Sequence, residues 1–544
     1  MDKTHQVAPG YSADILIRWG DPVLPDAPAF DPHGQSAEAQ RRQFGYNNDF
    51  IGYIPLPLSS DSSDHGLLCI NHEYTNEEVM FTGAGKDQGR RNQHKAATKE
   101  MVDIEMASHG GSIIETEKRE GKWRVVLDSR YARRITALDT RMTLSGPAAG
   151  EPRPRTFADP TGTQVTGTVN NCAGGITPWG TYLMAAENFL YYFLGDLEHH
   201  PRRTPADKDD GASDPDTWEH PEKVNYTRYG LLGGETMPGG DSIGVSTSTP
   251  SPTRPTASIY KFVSAERVDP HNRAANRDLL DRGTLFIARF HPDGTLTWLP
   301  LTFGTGGLTP DNGFHSQADV LIETRRAANL PRTTPMDRPE DVEPNPHNNR
   351  VYMMLTNNSK RTSAQVDAAN PRVDNRWGQI LELIPPGGDH SAETFDWGLL
   401  IQAGNPRDEG VAARWNPATS ENGWFSCPDN CAIDHWDRLW IATDQGYNWK
   451  RASGTADGLW ALETDGAGRG TGRMFFRIPV GAETCGPRFT PDDRTLFVAV
   501  QHPATDGTQY FPGFERDSTF EDPATRWPDF DPRMPPRPSV VVIT

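Results

Sequence analysis

The chain is poor in cysteine, in long apolar runs and in positive charge. Its 544 residues hold five cysteines, Cys69, Cys172, Cys427, Cys431 and Cys485. An odd, sparse set excludes a disulfide framework and leaves at least one thiol free or as a ligand. No apolar run reaches the roughly 18 residues that cross a bilayer. The opening Met1-Asp-Lys-Thr-His-Gln-Val7 lacks a signal-type apolar core, so the expectation is a cytosolic protein or one whose targeting segment is absent. Lys and Arg number 54 against 73 Asp and Glu, a net charge of -19. That balance argues against nucleic acid and anionic membranes as partners, and an anionic substrate would be repelled unless metal ions invert the local field. No Gly-x-Ser-x-Gly elbow, phosphate-cradling loop or dinucleotide fingerprint occurs, which weakens serine-hydrolase and nucleotide-binding readings.

The hydrophobic share is only 35%, while Gly (51) and Pro (46) are abundant. This profile fits many short strands joined by turns. The 14 Trp, 14 Tyr and 22 Phe supply enough area for a sizeable core. Strands are expected at Gly66–Ile70, Trp123–Leu127, Thr181–Ala185, Ile259–Val263, Val351–Leu355, Gln379–Ile384 and Gly458–Glu463, with a helix over 93–109. Ile287 to Leu299 reads as a hairpin around a Pro-Asp-Gly turn. Ile433 to Ala442 and Phe489 to Ala499 share one form, an acidic turn followed by an aromatic strand, with Trp440 and Phe497 in matching places. Repetition at about one blade length predicts an all-β fold, a single β-propeller domain over 1–544 with inserted loops and short helices. One region breaks the pattern: a polar, Ser/Thr/Pro-rich insert at about 199–258.

Several groups carry chemistry. In Pro335-Met-Asp-Arg-Pro-Glu340, Arg338 and Glu340 stand two apart, so in extended chain both reach one cavity, as anion clamp and as metal ligand or base. Such a charged run is more commonly a solvated loop. Asn170-Asn-Cys-Ala-Gly-Gly175 places Cys172 beside glycines that admit close backbone approach, and Glu187 follows one strand later. A thiolate and a carboxylate at the ends of one hairpin converge on a transition metal, although a lone cysteine is more often structural. Glu73 lies in an acidic loop after a strand, suited to calcium. Cys427-Pro-Asp-Asn-Cys431 lacks a second pair and is no zinc site; Asp429 and Asn430 read as inward-facing, with Glu483 in the corresponding place one repeat later.

Taken together, Phe44-Gly-Tyr-Asn-Asn-Asp49, Asn71-His-Glu-Tyr-Thr75, Asn171-Cys-Ala-Gly-Gly175, Glu187-Asn-Phe189, Tyr260-Lys-Phe-Val-Ser264, Met336-Asp-Arg-Pro-Glu-Asp341, Pro428-Asp-Asn430, Gly486-Pro487, Phe489-Thr-Pro-Asp492, Gln501-His-Pro503 and Pro536-Arg-Pro-Ser-Val-Val-Val542 resemble the PhoX family of bacterial alkaline phosphatases. The segments are collinear over nearly the whole chain. The resemblance implies a six-bladed propeller with Ca2+ and Fe3+ in its central channel, hydrolysing small phosphomonoesters as a monomer. It implies Cys172 as the iron-binding thiolate with Glu340 beside it, Arg338 as phosphate clamp and Asn171 as an amide contact. Glu187, Asp429, Glu73 and Glu483 are implied as further metal ligands. Export by the twin-arginine route to the periplasm, or secretion, is also implied.

The chain departs from the family between Arg228-Tyr-Gly230 and Tyr260. There the resemblance calls for propeller strands and an acidic ligand; this sequence has a short Ser/Thr/Pro run, with Ala257 near the place of the acid. The expectation is one incomplete blade and a cluster one carboxylate short. Beside the phosphatase stand two further readings: a propeller binding calcium or a ligand with little or no turnover, and a calcium-dependent propeller acting as an esterase or lactonase.

Overall fold

A chain rich in turn residues and β-formers folds, in the computed structural model, into antiparallel strands with few helices. The structure describes residues 2–84, 98–156, 158–187, 257–331, 333–447, 449–450 and 454–544. The insert at 199–258 therefore lies outside the described residues except for 257 and 258. Residues 93–97 of the expected helix lie outside the described residues. Among the described residues the longest helix is Lys99–Ser108, with Thr98 as its N-cap accepting the Met101 N–H. No helix there is long and apolar enough to cross a membrane. All five cysteines are free and buried, and no disulfide framework forms.

Four larger sheets are built by hairpins working outward from an inner strand. One runs Asn48–Pro55, His65–His72, Gly110–Arg119, Lys122–Val126, with Arg133–Ile135 on its third strand. Another runs Pro428–Ile433, Leu439–Thr443, Gly458–Leu462, Gly472–Arg477, and takes Gln6–Val7 on its outer edge. In the next, Glu483–Phe489 pairs with Leu496–Gln501, then with Ser539–Ile543, and Ala13–Arg18 completes it. The N-terminal and C-terminal segments are thus neighbours in one sheet.

The fourth sheet has seven strands. Pro339–Pro344, Val351–Leu355, Gln379–Ile384 and Thr394–Gln402 continue into Thr295–Pro300, Gly283–Phe290 and Tyr260–Ser264. The join is three residues long, Thr295–Thr297 against Thr394–Asp396. So short a pairing leaves no periodic signal, and the sequence reading gives these strands separately. Two-stranded pieces, Asn171–Ile176 with Tyr182–Ala186 and Arg141–Thr143 with Gln164–Thr166, complete the described strands.

The core lies between sheets. Ile17, Phe44, Ile51, Leu68, Phe497 and Val540 fill one layer; Trp440, Phe476, Val498, Trp527 and Val541 fill the next. Each such side chain contributes about 1.5–3 kcal/mol on burial. Trp440 packs on Phe475 and Phe489 (4.9 and 5.2 Å), and Phe497 on Trp123 and Tyr53 (5.1 and 5.9 Å). The repeated aromatic does the same work in successive layers. The acidic turn before it is explained too: Asp434 accepts the Trp436 and Arg438 N–H groups, and Asp492 that of Arg494.

Candidate active site

The inner strands 48–55, 171–176, 339–344, 428–433 and 483–489 pack beside one another, and four of them begin alike. The residue before each strand is left-handed: Asn47 (φ 34°), Asn170 (φ 51°), Arg338 (φ 44°) and Cys427 (φ 51°). Pairing register then slips at once, between Asn48 and Ile51, Asn171 and Gly174, Pro339 and Val342, Pro428 and Cys431. Asp49, Cys172, Glu340 and Asp429 fall inside those slips, each two residues after the left-handed one. A bulge twists the strand and re-aims a side chain, and here it aims four donors at one region.

The partner strand supplies the second donor. The carbonyls of Asn47, Asn170, Arg338 and Cys427 accept the N–H groups of Glu73 (2.9 Å), Glu187 (2.7 Å), Thr356 (3.0 Å) and Asp444 (3.1 Å). Each hairpin therefore offers a facing pair, with threonine in place of the acid in the third. The 483–489 hairpin varies the theme: Glu483 follows left-handed Gly481 (φ 75°) by two residues, but the slip comes later, between Cys485 and Arg488.

Three donor groups result. Asp49, Glu73 and Cys172 offer atoms within 4.8 Å of one another, as do Cys172, Glu187 and Glu340, and Asp429, Asp444 and Glu483. Arg338 lies against the second group, its Nη2 2.9 Å from Glu340 Oε1, with 45% of its side chain still exposed. Burial opposes its charge, but Glu340, Asp444, Glu187 and Asp429 outweigh that and hold the guanidinium firmly protonated.

Asn171 turns elsewhere: its amide donates to Thr168 Oγ1 (2.9 Å), while its Oδ1 is buried without a hydrogen-bond partner. The preceding Asn170 reaches the donors instead, giving Glu73 Oε1 a hydrogen bond of 2.8 Å. Four participants escape the sequence reading. Asp49 and Asp444 complete the groups; Gln501 donates to Asp49 (3.0 Å) and Glu73 (2.9 Å); His502 Nε2 stands 3.2 Å from Glu483. Asp49 ends the Phe44–Asp49 motif, and its place as second residue of its strand matches that of Cys172. Other acids of the charged runs point away. Asp337 pairs with Arg361, Asp341 accepts the Cys431 N–H (2.8 Å), and Glu343 lies 3.5 Å from Arg488. Asp341, Glu343 and Arg488 line a separate recess of about 240 Å³ farther along the same strands.

Among the described residues the site carries more buried negative charge than the Arg338 guanidinium balances. Burial, with the charges of Glu187 and Asp341, pushes Asp49 up to about 7 despite a hydrogen bond with Cys172. Burial and then neighbouring carboxylates hold Glu73, Glu340, Asp429 and Glu483 well above the usual range, and burial and Asp49 do the same to the Cys172 thiol. Such a set stays ionised only with cations among it. The buried, partnerless Asp49 Oδ1 is one acceptor aimed inward. Oxygen donors suit hard cations and the sulfur a softer transition metal, so the residues fit metal ions.

Comparison with known proteins adds a second line. The sequence model of the family described as alkaline phosphatase PhoX matches residues 1–249 and 248–504. No curated protein matches the chain. Among solved structures, Pseudomonas fluorescens PhoX in complex with vanadate, a transition state analogue, is similar over 100% of this chain and 96% of its own. The identity is 32% and the TM-score 0.80.

Proposed function

The chain belongs to the PhoX family of alkaline phosphatases, metal-dependent phosphomonoesterases, and on that premise we propose that the three donor groups and Arg338 form one phosphomonoesterase centre. Cys172, Glu187 and Glu340 hold Fe3+. Asp49 and Glu73 on one side, and Asp429, Asp444 and Glu483 on the other, hold Ca2+. When bound, the ions supply positive charge that neutralises phosphate oxygens and polarises the phosphorus. Arg338 donates two parallel N–H groups to non-bridging oxygens of the ester, the geometry in which guanidinium recognises phosphate best. Glu340 orients that guanidinium. Asn170 and Gln501 fix the carboxylates of Glu73 and Asp49, while the Asn171 amide is spent on Thr168. The substrates are small phosphomonoesters, free of nucleic acid.

We further propose that residues 1–544 form a single six-bladed propeller, with 199–258 as its insert and the inner strands lining its channel. The protein acts as a monomer in the periplasm or outside the cell, after export by the twin-arginine route. Ala257, whose carbonyl accepts the Met336 N–H (2.9 Å), falls in sequence about where the family resemblance calls for an acidic ligand, and on that ground the calcium set here is read as one carboxylate smaller.

The observation that carries the reading is Arg338 held 2.9 Å from Glu340 beside donor atoms converging within 4.8 Å. It is tested by hydrolysis of p-nitrophenyl phosphate at alkaline pH, on protein of measured iron and calcium content. Turnover inhibited by vanadate, and reduced about a hundredfold or more in Arg338→Ala, is the expected result. Full activity in Arg338→Ala overturns the clamp. Calcium-dependent thermal stabilisation without any turnover identifies a binding protein instead.

A further inference from the structure

Arg338 carries its guanidinium on a backbone that arginine does not favour. Its φ of 44° is left-handed, a region that Asn tolerates and that costs most other residues about 1 kcal/mol or more. Asn47 and Asn170 occupy the same place in their hairpins with residues suited to it. Arg338 is followed by Pro339, which narrows the choices of the residue before it further. Something outside the residue holds it there.

The segment just upstream is clamped from three sides. Asp337, fully buried, accepts Arg361 Nε at Oδ1 (2.5 Å) and Asn375 Nδ2 at Oδ2 (3.0 Å). Its own N–H donates to Asn370 Oδ1 (3.0 Å). Arg361 Nη2 and Asn370 Nδ2 both donate to Pro335 O (2.9 and 3.1 Å), and Arg361 Nη1 to Gln365 O (2.5 Å). Downstream, Thr356 N–H holds the Arg338 carbonyl (3.0 Å). The Arg361–Asp337 pair exposes 1% and 0% of its side chains. A pair so buried roughly cancels its Coulomb gain against desolvation, so stability alone is a poor reason to keep it. What it does secure is one conformation of the peptide leading into Arg338.

We propose that Asp337, braced by Arg361 and Asn375, is a positioning residue that fixes the left-handed backbone of Arg338 and so points its guanidinium at the substrate phosphate. This rests on the assignment of Arg338 as phosphate clamp. Asp337 itself touches neither the donor groups nor substrate; it acts through its neighbour. A misplacement of about 1 Å in a positioning group is worth up to a hundredfold in rate.

The test is a double-mutant cycle on metal-loaded protein: parent, Asp337→Asn, Arg338→Ala and the double variant. For each, kcat and KM for p-nitrophenyl phosphate, the inhibition constant of vanadate, and bound iron and calcium are measured. Asp337→Asn is expected to lower kcat/KM and weaken vanadate about tenfold or more with metal content unchanged, and to have under about twofold effect once Arg338 is Ala. Equal losses in both backgrounds, or a loss of thermal stability with vanadate affinity intact, overturn the inference. If Asp337→Asn fails to fold, Asn375→Ala removes one of the two bonds to the Asp337 carboxylate, leaves Arg361 in place, and is read in the same cycle. Failure of the clamp itself is separately visible, as full activity in Arg338→Ala alone.

Discussion

Asp49 shows how one side chain reports the state of the whole site. Its carboxyl is pushed from 3.8 up to about 7 by burial first and by neighbouring acids second, and Glu73, Glu340, Asp429 and Glu483 are raised with it. An acid whose folded pKa is raised favours the folded state fully below its unfolded pKa, and that contribution is lost as pH rises through the folded pKa. For metal-free protein the window runs from about 4 to about 7, each unit being worth about 1.4 kcal/mol. Thermal melts in chelator are therefore expected to fall across this window, and melts in calcium to stay level or rise. A chelated protein that gains stability over the same range would contradict the assignment. At this scale much was legible: Cys172, Glu187, Arg338, Glu340 and Asp429 stand out by residue type. Asp49 and Asp444 were not, because a single acid in a polar loop looks like any solvated one until its partner strand is known.

The element that matters is the hairpin with a left-handed residue, a register slip and a donor two places on. Strands such as Val351–Leu355, Gln379–Ile384 and Gly458–Leu462 were readable from turn residues and alternation; the inner strands, short and rich in polar residues, and the order in which strands pair were not. Nor were the slips, since an unpaired residue leaves the hydrophobic pattern nearly unchanged. Gly486 shows how tightly the elements mesh. It is left-handed (φ 48°), and a Cβ there would strike the Asp49 carbonyl and lie 2.7 Å from Ile51 N. Gly486→Ala is thus expected to cost about 2 kcal/mol or more and to weaken calcium binding through displacement of Asp49. Denaturant melts with and without calcium check both parts; a variant as stable as the parent with unchanged calcium affinity would show that the two strands yield easily.

At the level of the molecule, the sheet containing Glu483–Phe489 is completed by strands from opposite ends of the chain. Ile17 pairs with Val540 and is 2% exposed in the layer beneath the Asn48–Pro55 sheet. Ile17→Ala is expected to cost about 2–5 kcal/mol, and proteolysis of the variant is expected to release residues 2–18 first. A loss under 1 kcal/mol in denaturant, with no early cleavage there, would mean that this strand adds little to closure. The pairing is invisible to local patterns because some 520 residues separate its partners.

Cys172 belongs to two of the three donor groups. Within reach of both, that one sulfur would link them, since a cation held at either would favour the thiolate, while Asp429, Asp444 and Glu483 share no donor with them. Oxidation of that single buried atom would then be expected to lower metal content at both groups together.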